Sequence, residues 1–277
     1  MVGGEHNPLQ KDVAVPSLHN FRQRREAEGS VERRYVQAGS ATMYAESSGV
    51  GQPLLLVHGL GGSTRWWVRN VPALTRSCGV HVIDLPGFGR SRSQPFVLRE
   101  APGLVVQMMD QFGLARTSII GHSMGGLIAA YIAAQFPERV ERLVLVDAAA
   151  LPLDRLSLHQ AWRMVQRLPH LPLRLLAMLG TDALRAGPVT LMQALQELRR
   201  MDIRLELARI EAPTLILWGE HDATLPLAVG QRLHGYLPQA AFQVIAAAGH
   251  FPMWERPAAF NQAVTQFLEH GNPAAQV

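Results

Sequence analysis

Lysine is all but missing from this chain: of its 26 basic residues, 25 are arginine and one, Lys11, is lysine. So lopsided a choice, in a chain rich in Ala, Leu and Gly, reads as a genome-composition bias. Aromatic residues are few (6%) and none interleave with arginines in a stripe, so the net charge of +4 does not point to nucleic acid. Cysteine is nearly missing too. Cys78 stands alone, which excludes an internal disulfide, suits a reducing compartment and leaves a small buried residue as its expected role. No apolar run reaches the ~18 residues of a membrane-spanning helix. The polar stretch from Met1 to Arg34, with both charge signs, lacks the apolar centre of a secretory signal. A cytoplasmic protein is expected. Histidines such as His159, His170 and His234 have no metal-site spacing, and neither metal nor cofactor is expected.

What is present is a sizeable core. At 277 residues and 48% hydrophobic content, the chain can hold one large α/β domain with an insertion, or two small domains. Its organising stretch is Thr117-Ser118-Ile119-Ile120-Gly121-His122-Ser123-Met124-Gly125-Gly126. A β-branched, strand-like run stops at Gly121 and a helical pattern begins at Met124, which puts Ser123 on the junction inside G-x-S-x-G. Such a turn is tight enough to strain the residue at its apex and to want glycine two positions either side. The serine hydroxyl is lifted above a helix N-terminus, whose dipole favours negative charge nearby.

The remaining chain alternates strand and helix. Residues 1–32 read as a flexible polar leader and Arg34–Ser48 as a hairpin about Gly39-Ser40. Apolar runs at Pro53–Val57, Val80–Leu85, Val140–Asp147, Pro213–Trp218 and Ala241–Ala246 read as strands, several of them buried on both faces. Helical patterns fall through Trp66, Trp67, Val71 and Leu74, within Val97–Leu114, after Ser123, at Pro226–Leu237 and at Arg256–His270. That order predicts a mostly parallel sheet flanked by helices. From Leu151 to Ile210 there is no strand pattern, only helical segments broken at Pro169, Pro172 and Gly187-Pro188. The expected division is therefore a core of 33–150 and 211–272 with a helical cap of 151–210.

In such a sheet, chemistry gathers at the C-terminal ends of the strands. That edge collects His58, Asp84, Ser123, Asp147, Asp222 and His250: a serine, candidate acids and a late histidine, the parts of a hydrolytic triad. A dinucleotide fingerprint at Gly59-Leu60-Gly61 with Asp84 fails at Thr64, where the third glycine should stand.

Here the chain resembles the α/β-hydrolase family from about Arg34 to His270. The motifs are HGLGG at 58–62, DLPGFGRS at 84–91, GHSMGG at 121–126, WGEHD at 218–222 and GHFPMWERP at 249–257. The resemblance implies an eight-stranded sheet, with Ser123 as nucleophile, Asp222 as acid and His250 as base. It places the oxyanion hole at the backbone N–H groups of Leu60 and Met124. Asp147 is the alternative acid, since some members place the acid there. Asp84 is read as a turn residue, Phe88 as at most a neighbour of the pocket, and His221 as a loop residue. His58 is read as a brace for the oxyanion loop and His122 as shaping the elbow. His122, Trp162 and Phe251 are expected to wall the substrate pocket.

Serine at the elbow disfavours the branches that form an ester on aspartate and leaves acyl chemistry. Hydrolysis of a carboxylic or thio-ester with a small to medium apolar acyl group is the leading expectation. Carbon–carbon hydrolases tend to carry Pro in the oxyanion loop and Asn before the serine, where this chain has Gly62 and His122. Acyl transfer and perhydrolysis use the same triad, and a non-catalytic ligand-binding member is the alternative from another class. Between Arg155 and Arg200 seven arginines face two acids, Asp182 and Glu197. That segment is read either as an amphipathic lid with a solvated basic face, or as an acyl channel with a basic rim able to touch anionic lipid weakly.

Overall fold

The computed structural model describes residues 30–152, 166, 169 and 171–271. Its centre is an eight-stranded sheet in the order β1-β2-β4-β3-β5-β6-β7-β8. The strands are β1 (Glu32–Ala38), β2 (Ala41–Ser48), β3 (Gln52–Val57), β4 (Cys78–Ile83), β5 (Thr117–His122), β6 (Val140–Val146), β7 (Thr214–Gly219) and β8 (Ala241–Ile245). The β1–β2 hairpin turns at Gly39-Ser40, and β2 also runs antiparallel to β4. All other neighbours are parallel.

The continuous apolar runs exist because the central strands are covered on both sides. Along β3 the side chains alternate: Leu55 and Val57 enter one buried cluster, Leu54 and Leu56 the other. The first cluster takes Val105 and Met108 of α1 (Ala101–Gln111), Leu127 and Ile128 of α2 (Met124–Gln135) and Leu233 from Leu227–Tyr236. The second takes Trp67, Phe260, Val264 and Phe267, the last three from the closing helix Pro257–His270. Helix α2 is buried around most of its circumference, which is why its sequence has no polar face.

Between β6 and β7 the regular structure among the described residues is helical. Helix α3 spans Leu173–Arg200 but breaks at Gly187, whose φ of 78° and ψ of 156° lie outside helical values, next to Pro188. Proline lacks the N–H that would continue the ladder, and glycine tolerates the left-handed φ. Leu175 and Met178 of the first half join one core cluster; Ala194 and Leu198 of the second join the other. The two acids of this segment are both engaged. Asp182, fully buried, accepts from Ser63 Oγ (2.7 Å) and Arg65 Nη1 (3.0 Å). Glu197 accepts the Leu98 N–H (2.6 Å). No helix among the described residues is long and apolar enough to cross a membrane.

One expectation needs correcting. The pattern through Trp66, Trp67, Val71 and Leu74 is not a continuous helix: Thr64–Trp67 is a 3₁₀ turn and Val71–Leu74 a single helical turn. The Asn70 side chain between them donates to the Met253 carbonyl (3.1 Å) and to Asn261 Oδ1 (2.8 Å), and Pro72 lacks an N–H. Tertiary hydrogen bonds outweigh the local period.

The elbow glycines are required sterically. A Cβ on Gly121 would strike the Gly125 carbonyl, and one on Gly125 the carbonyls of Val57 and His58. A Cβ on Gly103, in α1, would meet nothing within 4 Å. Gly125→Ala is therefore expected to lower stability by about 1–3 kcal/mol, and Gly103→Ala to raise it by roughly 0.5–1 kcal/mol. Urea unfolding of the two variants beside wild type checks both.

Candidate active site

Ser123 joins β5 to α2 with φ 53° and ψ −117°. Its backbone is clamped from the next strand, its N–H donating to the Val146 carbonyl (2.9 Å) and its carbonyl accepting from the Ala149 N–H (3.0 Å). A non-glycine residue there costs on the order of 1–3 kcal/mol, and the clamp holds it.

The structure brings Ser123, His250 and Asp222 into line. Ser123 Oγ–H donates to His250 Nε2 (3.1 Å), and His250 Nδ1–H donates to Asp222 Oδ2 (2.7 Å). Asp222 is 1% exposed and follows β7. Its Oδ1 accepts the N–H groups of Thr224 (2.7 Å) and Leu225 (2.9 Å), which fixes its orientation. An imidazole held this way can take a hydroxyl proton at one nitrogen while the carboxylate stabilises the cation at the other.

The histidine loop is held by two further groups. His122 Nε2–H donates to the His250 carbonyl (2.7 Å). Glu255 accepts the N–H groups of Gly249 (3.0 Å) and Phe251 (3.2 Å). Burial, followed by the nearby His250, holds the pKa of His122 well below the usual imidazole value, so its ring stays neutral. The loop leading from β3 has its own brace. His58 accepts the Leu85 N–H at Nε2 (3.0 Å) and donates from Nδ1 to the Gly59 carbonyl (2.7 Å). Complete burial pushes its pKa down to about 4. Asp84 accepts from the Thr64 (2.5 Å) and Arg90 (2.6 Å) N–H groups; burial raises its pKa to about 6. His58 braces the loop after β3, and Asp84, read from the sequence as a turn residue, holds the backbone of two turns.

Above Ser123 lies a cavity of about 380 Å³. Its walls include His122 and Phe251, two of the residues the sequence put beside a substrate; the third, Trp162, lies outside the described residues. Leu179 and Arg199, from the segment read as a possible acyl channel with a basic rim, also line it, whereas sequence reasoning missed Trp66, Leu195, Leu198, Leu225 and Arg232. Trp66 could have been suspected from its place just after the Gly-rich loop; the leucines of α3 carry no mark of which face they present. Phe88 is buried against Phe96 and His58, and His221 pairs at the surface with Glu220 (3.7 Å). Asp147, Asp222 and His250 place one donor atom each within 4.8 Å of one another. That is close enough to surround a cation, but Asp222 Oδ2 and His250 Nδ1 already satisfy each other; the arrangement suits a proton relay.

A profile of the alpha/beta hydrolase fold matches residues 52–177 and 184–257. The chain belongs to the α/β-hydrolase fold family. This α/β-hydrolase is 32% identical, over 81% of its length and 90% of the relative's, to a 2-hydroxy-6-oxononadienedioate/2-hydroxy-6-oxononatrienedioate hydrolase of Burkholderia vietnamiensis. It is 29% identical, over 81% of its length and 97% of the relative's, to a pimeloyl-[acyl-carrier protein] methyl ester esterase of Photobacterium profundum. Among solved structures it superposes on a membrane phospholipase A, a bacterial virulence factor, with a TM-score of 0.75 and 29% identity. That match covers 91% of this chain and 89% of the other. The α/β-hydrolase described here is a hydrolytic enzyme.

Because His58 is neutral when folded and takes up a proton on unfolding below pH 6.5, its burial costs stability as pH falls from about 6.5 towards 4. Asp84 has the opposite sign, gaining stability on acidification through about 6, so a comparison at a single site is required. The stability advantage of wild type over His58→Gln should shrink by roughly 3 kcal/mol between pH 7 and pH 4. Urea midpoints across that range measure it.

Proposed function

We propose that this hydrolase is a serine esterase cleaving carboxylic or thio-esters of small to medium apolar acyl groups. The observation that carries the reading is the unbroken Ser123–His250–Asp222 chain of hydrogen bonds beneath a mostly apolar cavity. On this reading Ser123 attacks the acyl carbon while His250 takes its proton. The tetrahedral oxyanion is met by the N–H groups of Leu60 and Met124, each worth about 2.7–4 kcal/mol in the transition state. Met124 opens α2, so its N–H has no intrahelical partner to lose. Collapse passes the proton from His250 to the leaving alcohol or thiol, and water repeats the sequence on the acyl-enzyme.

The insert of 151–210 acts as the lid, its Leu179, Leu195 and Leu198 receiving the acyl chain. Arg199 and Arg232 give the mouth a positive charge that accommodates an anionic end group. The outer face of α3 exposes Leu173 and Leu184 beside Arg174 and Arg185, which suits weak contact with an anionic lipid surface.

A second reading, hydrolysis of a carbon–carbon bond beside a ketone, is favoured by the Burkholderia relative. Two features weigh against it. Gly62 packs so tightly against His58 that a Cβ would lie 2.8 Å from the ring nitrogen. The residue before the serine is a histidine whose Nε2–H is committed to the His250 carbonyl.

A fluorophosphonate probe is expected to give one stoichiometric adduct on Ser123, lost in Ser123→Ala. On 4-nitrophenyl butyrate, Asp222→Asn is expected to lower kcat by about 10⁴-fold. Well-folded protein that fails to label sinks the serine reading. Turnover of a 2-hydroxy-6-oxo-dienoate far above every ester would replace it with the second.

A further inference from the structure

Asp147 is a buried acid that the proposed chemistry leaves unused. It follows the last residue of β6 and turns the chain with a φ of 41°. It is 0% exposed, against 1% for Asp222. Its Oδ1 accepts the Gly219 N–H (2.9 Å), which fixes the carboxyl against the end of β7. Its Oδ2 is just as buried and meets no N–H or O–H donor among the described residues. What lies beside it is another carboxyl: oxygens of Asp147 and Asp222 and a ring nitrogen of His250 are all within 4.8 Å of one another. Asp222 already receives three hydrogen bonds, from Thr224, Leu225 and His250. A carboxylate has about four acceptor positions, so one remains.

Two ionised carboxylates cannot share so dry a space. Burial foremost, then the neighbouring Asp222, and more weakly Glu255, push Asp147 well above the usual carboxylate range; only the Gly219 N–H works the other way among these groups. The titratable groups that face it are Asp222 after β7, His250 after β8 and Glu255 in the turn Pro252–Glu255.

We infer that Asp147 is a neutral carboxylic acid whose Oδ2–H donates to Asp222, orienting that carboxylate towards His250 and limiting the pair to one negative charge. The orienting role rests on the triad reading above; the location of the proton does not. Asp147 touches no substrate and is a positioning residue. A second charge at its place would hold the imidazolium too firmly and oppose return of the proton to the leaving group.

Asparagine is the isostere of that neutral acid: its Oδ1 can accept from Gly219 and its Nδ2–H can donate to Asp222. Asp147→Ala is expected to lower kcat/KM on 4-nitrophenyl butyrate by about 10–100-fold through the lost bond to a charged group, and Asp147→Asn to restore most of it. The acidic limb of the Asn pH–rate profile should coincide with wild type. A limb moved down by about one unit or more is what removal of a charge would produce, and that result, or an Ala variant as active as wild type, overturns the proposal. Independently of turnover, infrared spectra of full-length protein at pH 8 should show the C=O stretch of a protonated carboxyl that is missing in Asp147→Asn; its absence from wild type overturns the proposal even if Ala does not fold. A band present in protein that never labels on Ser123 would sink the esterase reading and leave the proton on Asp147.

Discussion

The structure turns on one residue held where a side chain is unwelcome. Ser123 sits at positive φ because its N–H and carbonyl are both engaged by the chain at and just beyond the end of β6. Those bonds are possible only because Gly121 and Gly125 let β5, α2 and the end of β3 approach to backbone contact. The direction of the hydroxyl, the position of the α2 N-terminus and the site of the facing histidine all follow. A local strain of a few kcal/mol persists because the surrounding parallel strands over-determine it.

Around that point each loop at the C-terminal edge of the sheet is tied by a side chain to backbone groups of another loop or of its own turn. His58 joins the loop after β3 to the one after β4, Asp84 holds the turns at Thr64 and Arg90, and Glu255 and His122 hold the loop of His250. The braces are titratable groups, yet His58 and His122 are kept neutral by burial. The edge is thus stiffened by hydrogen bonds with few buried charges to compensate.

Much of this was legible in the residues. The inner strands are buried on both faces, so their apolar runs could hardly be mistaken, and the elbow glycines marked the serine. The rival acids Asp147 and Asp222 could not be separated by pattern because each ends a strand; β6 and β7 are neighbours in the sheet, so both carboxyls arrive at the same spot. Other features had no local signal. The turn at Thr64–Trp67 is set by partners nearly two hundred residues away, such as the Trp254 indole donating to the Trp66 carbonyl. Which leucines of α3 line the cavity depends on how its two halves seat across the sheet edge. Glu255 stood in a recognised motif, but its work as a brace needs the chain to fold back on itself.

The kink at Gly187 gives the insert an uncommon kind of independence. Its anchors, Asp182 on one half and Glu197 on the other, reach different parts of the core, while Leu179 and Leu195 line the cavity. Attachment and lining are therefore written largely in separate letters of the same helices, Leu198 serving both. A lineage can trade the lining side chains, and with them the shape of the molecules admitted, without loosening the span that carries them. The arch behaves as an exchangeable template on a fixed frame.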